Sequence, residues 1–183
     1  MKKILFLLGN LIDTDIKWLN ENATQRICKK NEVLMKQGES PKNLYIIVEG
    51  KSDLVENKRG KIASLTEGDV IGEISFVDER LASTSLIAID NTRVLSIERK
   101  LLRKKLDNDS DFSARFYRGL SMLLADRLRK MILGPINRDN VFADELEWQS
   151  EVNPELLHAL MVNGKRYLRL IKHESKNLNN SAV

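Results

Sequence analysis

Between Thr24 and Ile97 the chain is a succession of short apolar and β-branched runs, each closed by glycine, asparagine or aspartate, and this punctuation limits the fold more than any other feature. The runs cover residues 32–35, 44–48, 61–65, 85–89 and 92–97, and the stretch around Arg26-Ile27-Cys28 alternates in the same way. The stops between them are Gly38-Glu39-Ser40-Pro41, Glu49-Gly50-Lys51, Asn57-Lys58-Arg59-Gly60, Glu67-Gly68-Asp69 and Asp90-Asn91. Strands this short, recurring at roughly 8–12 residues, close into a small barrel or sandwich. Since successive strand residues face opposite sides, Leu44, Ile46, Val48, Ile62, Leu86, Val94 and Ile97 are expected in the core.

Helical signals flank that block. Asp13 or Thr14 can cap a short helix that turns Ile16, Trp18 and Leu19 inward. After Ile97, Leu101, Leu102 and Leu106 suggest one short helix. A longer one follows Asn108-Asp109-Ser110, with Phe112, Phe116, Leu120, Leu123, Leu124, Leu128 and Met131 recurring at three and four until Gly134-Pro135. Beyond a polar stretch, Asn153-Pro154 opens a further helical pattern through Leu156, Leu157, Leu160, Met161, Leu168 and Ile171. Residues 1–134 are therefore read as one domain with a long last helix, and residues 135–183 as a helical extension.

The composition narrows the function. Of 183 residues, 42% are hydrophobic and 31% charged, which suits a packed core. The 30 basic and 26 acidic residues are well mixed, a balance that does not mark a nucleic-acid binder. Arg99, Lys100, Arg103, Lys104 and Lys105 form the densest basic run, read as a solvated helix face. Cys28 is the single cysteine, so it makes no disulfide within the chain; a small buried hydrophobe in a reducing cytoplasm fits. The apolar run of residues 4–8 falls short of the roughly 7–15 residues of a secretory signal core, and no segment approaches the ~20 apolar residues of a membrane span. His158 and His173 are too isolated for a metal site or catalytic dyad, and Trp148 is expected to pack the extension. No nucleophile with an adjacent base, cofactor loop or ligand cluster is visible, so an enzyme is not expected.

Three segments, in order, resemble the cyclic-nucleotide-binding domain found in catabolite-activator-type regulators and protein kinase A regulatory subunits. Asn31-Glu32-Val33-Leu34-Met35-Lys36-Gln37-Gly38-Glu39 is similar to the family's "G-E-x-L-x-x-x-G-E", with Asn31, which tolerates positive φ, in place of the first glycine. Leu44 to Gly50 is similar to "YIVLEG". Leu65-Thr66-Glu67-Gly68-Asp69-Val70-Ile71-Gly72-Glu73-Ile74-Ser75-Phe76 resembles "L-x-x-G-D-x-F-G-E-L-A-L", the entry to the phosphate-binding cassette. The resemblance spans about residues 5–133 and implies an α+β fold, a double-stranded β-helix or jelly-roll-like β-roll flanked by N- and C-terminal helices. It also implies a non-catalytic regulatory module whose ligand, if any, is cyclic AMP or cyclic GMP.

The same resemblance names a candidate ligand site: Ile71, Gly72, Glu73, Ile74, Ser75, Arg80, Ala82, Ser83 and Thr84. Gly72 lets the backbone approach an anion, and Glu73 stands where the family's carboxylate accepts the ribose 2′-hydroxyl. Nine residues later, where binding members fork an arginine onto the phosphate, the chain has Ala82. A hydrogen bond to a charged group contributes about 1.5–3 kcal/mol, so its loss predicts affinity about 10- to 150-fold weaker. For Arg80, two residues earlier, two readings stand, swinging in to the anion or simple solvation; Ser83 and Thr84 offer backbone and hydroxyl groups to an anion but are equally ordinary strand residues. A structural or adaptor role for the same fold is the alternative, and a transcription factor would need a helix-turn-helix that the tail does not display. The apolar stripe of residues 111–133 points to a homodimer, without specific DNA binding, unless the extension folds back to cover it.

Overall fold

The computed structural model describes residues 3–133. Two helices, α1 (Ile4–Leu8) and α2 (Asp13–Asn22), precede strands β1 (Ala23–Cys28), β2 (Val33–Met35), β3 (Asn43–Glu49), β4 (Ser52–Glu56), β5 (Gly60–Leu65) and β6 (Val70–Ile71). Helix α3 (Glu73–Asp78), β7 (Ser85–Ala88), β8 (Thr92–Glu98), α4 (Arg99–Asn108) and α5 (Ser110–Leu133) complete the order. The strands form two four-stranded sheets, ordered β1-β8-β3-β6 and β2-β7-β4-β5, and every pairing is antiparallel. This is the expected α+β roll with flanking helices. The proposed extension, residues 135–183, lies outside the described residues.

Strand β3, flanked by β8 and β6, is buried on both faces, which explains why it is a nearly continuous apolar run. Leu44, Ile46 and Val48 turn toward the helices with Leu95 and Ile97, whereas Tyr45 and Ile47 turn toward the second sheet with Val94. Under the helices, Phe76, Phe112 and Phe116 meet edge-on or tilted at centroid distances of 5.8–5.9 Å, and Trp18 adds a ring 5.7 Å from Phe112. Each such buried side chain contributes about 1.5–3 kcal/mol by leaving water. Between the sheets, Cys28, Leu34, Leu86 and Ala88 fill the roll.

Several local expectations are corrected. Ile62 is 49% exposed, because β5 is the outer strand of the second sheet with little above it. Helix α2 is preceded by Ile12 as its cap residue, not Asp13 or Thr14, and Asp15 supplies the carboxylate that accepts the Ile12 N–H at 3.0 Å. The basic run is not simply a solvated face. Arg99 donates to Pro41 O at 2.9 Å and to Ser75 O at 2.6 Å, and Arg103 donates to Phe76 O with its guanidinium 4.4 Å above the Phe76 ring. Helix α1 has no counterpart in the sequence reading; its Ile4, Leu7 and Leu8 are buried, and Ile4 N–H bonds Gly68 O at 2.8 Å.

Candidate functional site

The candidate cassette runs from the end of β6 to the start of β7. Gly72 has φ +89°, a left-handed conformation, and a Cβ there would stand 3.1 Å from Asn43 O, so both backbone shape and space call for glycine. The turn it makes launches α3 and sends Glu73 inward, where the residue is only 2% exposed. Asn31 takes φ +69°, as its substitution for glycine requires.

A small cavity of about 50 Å³ lies against this turn. It is bounded by Ile71, Gly72, Glu73, Ile74, Ser75, Ser83 and Thr84, which the sequence had grouped, together with Met35, Leu54, Leu65, Val70 and Arg127. Arg80 and Ala82 are not brought to it. The Arg80 side chain is 85% exposed; its amide bonds Asp78 Oδ1 at 3.0 Å, and the guanidinium stays near the same carboxylate. Ala82 is buried in the inter-sheet core, and its backbone is held by two bonds to the turn after β2: Ala82 N–H to Glu39 O and Gly38 N–H to Ala82 O, both 2.9 Å.

Arg127 of α5 is the residue that the motif did not mark. Its guanidinium donates to Glu73 Oε1 and, 2.6 Å away, to Val70 O, so one side chain ties α5 to both the strand and the helix of the cassette. Burial pushes the Glu73 carboxyl above the ordinary glutamate range, while the Arg127 charge pulls it back down. The signal for Arg127 was present: Phe116, Leu120, Leu123 and residue 127 recur at helical spacing, and an arginine on the inward face of an apolar stripe needs a buried acceptor. At the far end of α3, Glu79 adopts φ +61° and pairs with Arg103 at 3.1 Å.

An antiparallel roll, a glycine-led short helix carrying a buried glutamate, and a long helix laid across both define a β-roll module with a pocket built around one turn. Residues 25–109 match the family model for the cyclic nucleotide-binding domain, and the roll has the fold of such domains. Lysophospholipase NTE1 of Pyricularia oryzae is 28% identical over 144 residues, covering 73% of this chain but only 9% of the larger protein. A cyclic nucleotide-binding domain from Methylobacillus flagellatus superposes with a TM-score of 0.62 at 20% identity, over 78% of this chain and 82% of that one. The Catabolite Activator Protein of Thermus thermophilus gives 0.59 at 19% identity, over 94% and 87%. Among the described residues no helix is long and apolar enough to cross a membrane, and no cluster of three metal-ligating side chains occurs.

Proposed function

We propose that this chain is a non-catalytic regulatory module of the cyclic nucleotide-binding type, with a degenerate cassette that binds cyclic nucleotides weakly or not at all. The observation that carries the reading is the pairing of Glu73 with Arg127 beside a cassette that has Ala82 at the arginine position and Arg80 turned to solvent. The carboxylate meant for a ribose hydroxyl already has a partner, and the about 50 Å³ left beside it is far below the roughly 300 Å³ at which ligand pockets begin. A nucleotide would have to displace Arg127 and would find no guanidinium fork fixed within the cassette.

Isothermal titration with cyclic AMP and cyclic GMP tests this: affinities weaker than about 1 μM, or no heat, are expected, and a sub-micromolar constant for the native chain overturns it. Ala82→Arg is the companion variant. Since Ala82 is buried between the sheets, the variant is first compared with the parent by thermal melting. Once shown to fold, it should strengthen binding at least about tenfold if its guanidinium turns from that position to the ligand. An unchanged affinity would mean that the ribose and purine contacts have also drifted.

One observation favours a second role in assembly. Leu128, Met131 and Ile132 are 57%, 79% and 74% exposed at the end of α5, beyond the reach of the roll. We infer that α5 pairs with its equivalent in a second copy, giving a homodimer; specific DNA recognition is not part of this reading.

A further inference from the structure

Just past the end of α3, bordered by Glu79, an open cleft of about 1260 Å³ lies between α4, the end of α2, the turn before β3 and the end of β8. Its cations are Lys42, Arg99, Lys100, Arg103 and Lys104. The two arginines are committed to carbonyls of α3 and the turn, as described above. Lys42, Lys100 and Lys104 are exposed and form no ion pair with any carboxylate among the described residues. Three carboxylates share the lining: Glu79, already paired with Arg103, Glu98 and Asp107. The cleft thus presents an excess of unneutralised positive charge.

The chain itself contains the complementary chemistry. Residues 139–155, which lie outside the described residues, carry six carboxylates (Asp139, Asp144, Glu145, Glu147, Glu151 and Glu155) and neither lysine nor arginine. We propose that this acidic segment docks in the α4 cleft of its own chain, setting its carboxylates against Lys42, Lys100 and Lys104. The proposal is independent of whether the cassette binds a nucleotide.

Reach permits it. Arg127 meets Glu73 at the start of α3 and Arg103 meets Glu79 just past its end, so the two contacts are separated by a six-residue helix of about 9 Å. Leu133 lies about 9 Å beyond Arg127 along α5. The eleven residues from Leu133 to Asp144 then span up to about 36 Å when extended. Tethering also decides which acidic partner wins. Single exposed ion pairs are weak, and a short covalent linker holds the segment at about millimolar effective concentration, above any free peptide of similar sequence.

Zero-length carbodiimide cross-linking of the full chain, with peptide mass mapping, tests the docking. At about 20 mM salt, Lys42, Lys100 or Lys104 is expected to join a carboxylate of residues 139–155, and the link should be lost near about 500 mM salt, where the screening length falls to a few ångströms. In an equal mixture of light- and heavy-isotope chains the link should join peptides of the same isotope. The double reversal Lys100→Glu with Lys104→Glu should abolish it and speed amide exchange over residues 99–108; adding Glu145→Lys with Glu147→Lys should restore protection. No link at low salt, links only between light and heavy chains, or unchanged exchange in a folded reversed variant would overturn the proposal. The wild-type cross-link map decides the question even if that variant fails to fold.

Discussion

Glu73 and Arg127 are a pair in which each partner answers a problem set by the other. The carboxyl is nearly sealed from water, which disfavours its charge, and the guanidinium enters the same space with a backbone carbonyl to satisfy its second arm. Arg127→Ala should leave the buried acid uncompensated and cost about 2–3 kcal/mol, below the roughly 3–5 kcal/mol of a fully buried pair because the Arg127 side chain keeps 21% exposure. The sign of its pH dependence follows from the direction of the shift. A carboxyl raised above its unfolded value favours the folded state when protonated, so the variant's deficit should shrink as pH falls and grow as pH rises through the raised value. Thermal melts of variant and parent at about pH 5 and about pH 7.5 measure this, and Arg127→Ala with Glu73→Gln should recover most of the loss at the higher pH. A deficit equal at both pH values would show that Glu73 is not the group left unpaired.

At the scale of elements, the crossing of α1 and α5 depends on one missing methyl. Gly119 sits in the middle of a long helix, where glycine is less favourable than alanine by about 1 kcal/mol, yet a Cβ there would lie 2.9 Å from Leu7 Cα and 3.0 Å from the carbonyl oxygens of Phe6 and Leu7. Gly119→Ala should therefore destabilise by about 1–3 kcal/mol despite its better helix propensity, since backbone on both sides must shift. Chemical denaturation reads this directly, and a variant as stable as the parent would mean that α1 is not held against α5. The same crossing marks the boundary of what the sequence made legible. The repeated turns, the face alternation of β3 and the stripe of α5 were readable because local period and tertiary burial agree there. Helix α1 was not, because five apolar residues fit a strand, a helix or a leader equally well until Gly68 and Gly119 supply its partners. Ile62 failed for a related reason: alternation identifies the faces of a strand but not whether that strand ends its sheet. In the cassette, the motif located Gly72 and Glu73, but Arg80 and Arg127 differ in position through contacts made across more than forty residues of chain for the latter and none for the former.

For the molecule as a whole, the uncovered end of α5 sets the expected state of association. Light scattering on the full chain at tens of micromolar should report a dimer, and a chain shortened to residues 1–134 should remain one if α5 pairs with its equivalent. A monomer at full length ends the dimer reading, and a dimer lost only on shortening assigns the pairing to residues 135–183. Within one copy, three helices meet in pairs. The start of α3 is fastened to α5 through Glu73 and Arg127, its end to α4 through Arg99 and Arg103, and α4 to α5 by Arg103 on the Tyr117 hydroxyl at 3.2 Å and by Lys105 at 2.7 Å from Asp109, which accepts the Phe112 N–H of α5 at 2.9 Å. In engineering terms this is a triangulated frame, which keeps its shape under load because no corner can turn without changing the length of a side. Such a frame transmits a push on one bar to the other two without play, and it can be reshaped only by releasing a joint. Of the three joints, the one at the start of α3 has Arg127 as its polar fastening, with the Phe76–Phe116 ring contact at 5.9 Å beside it.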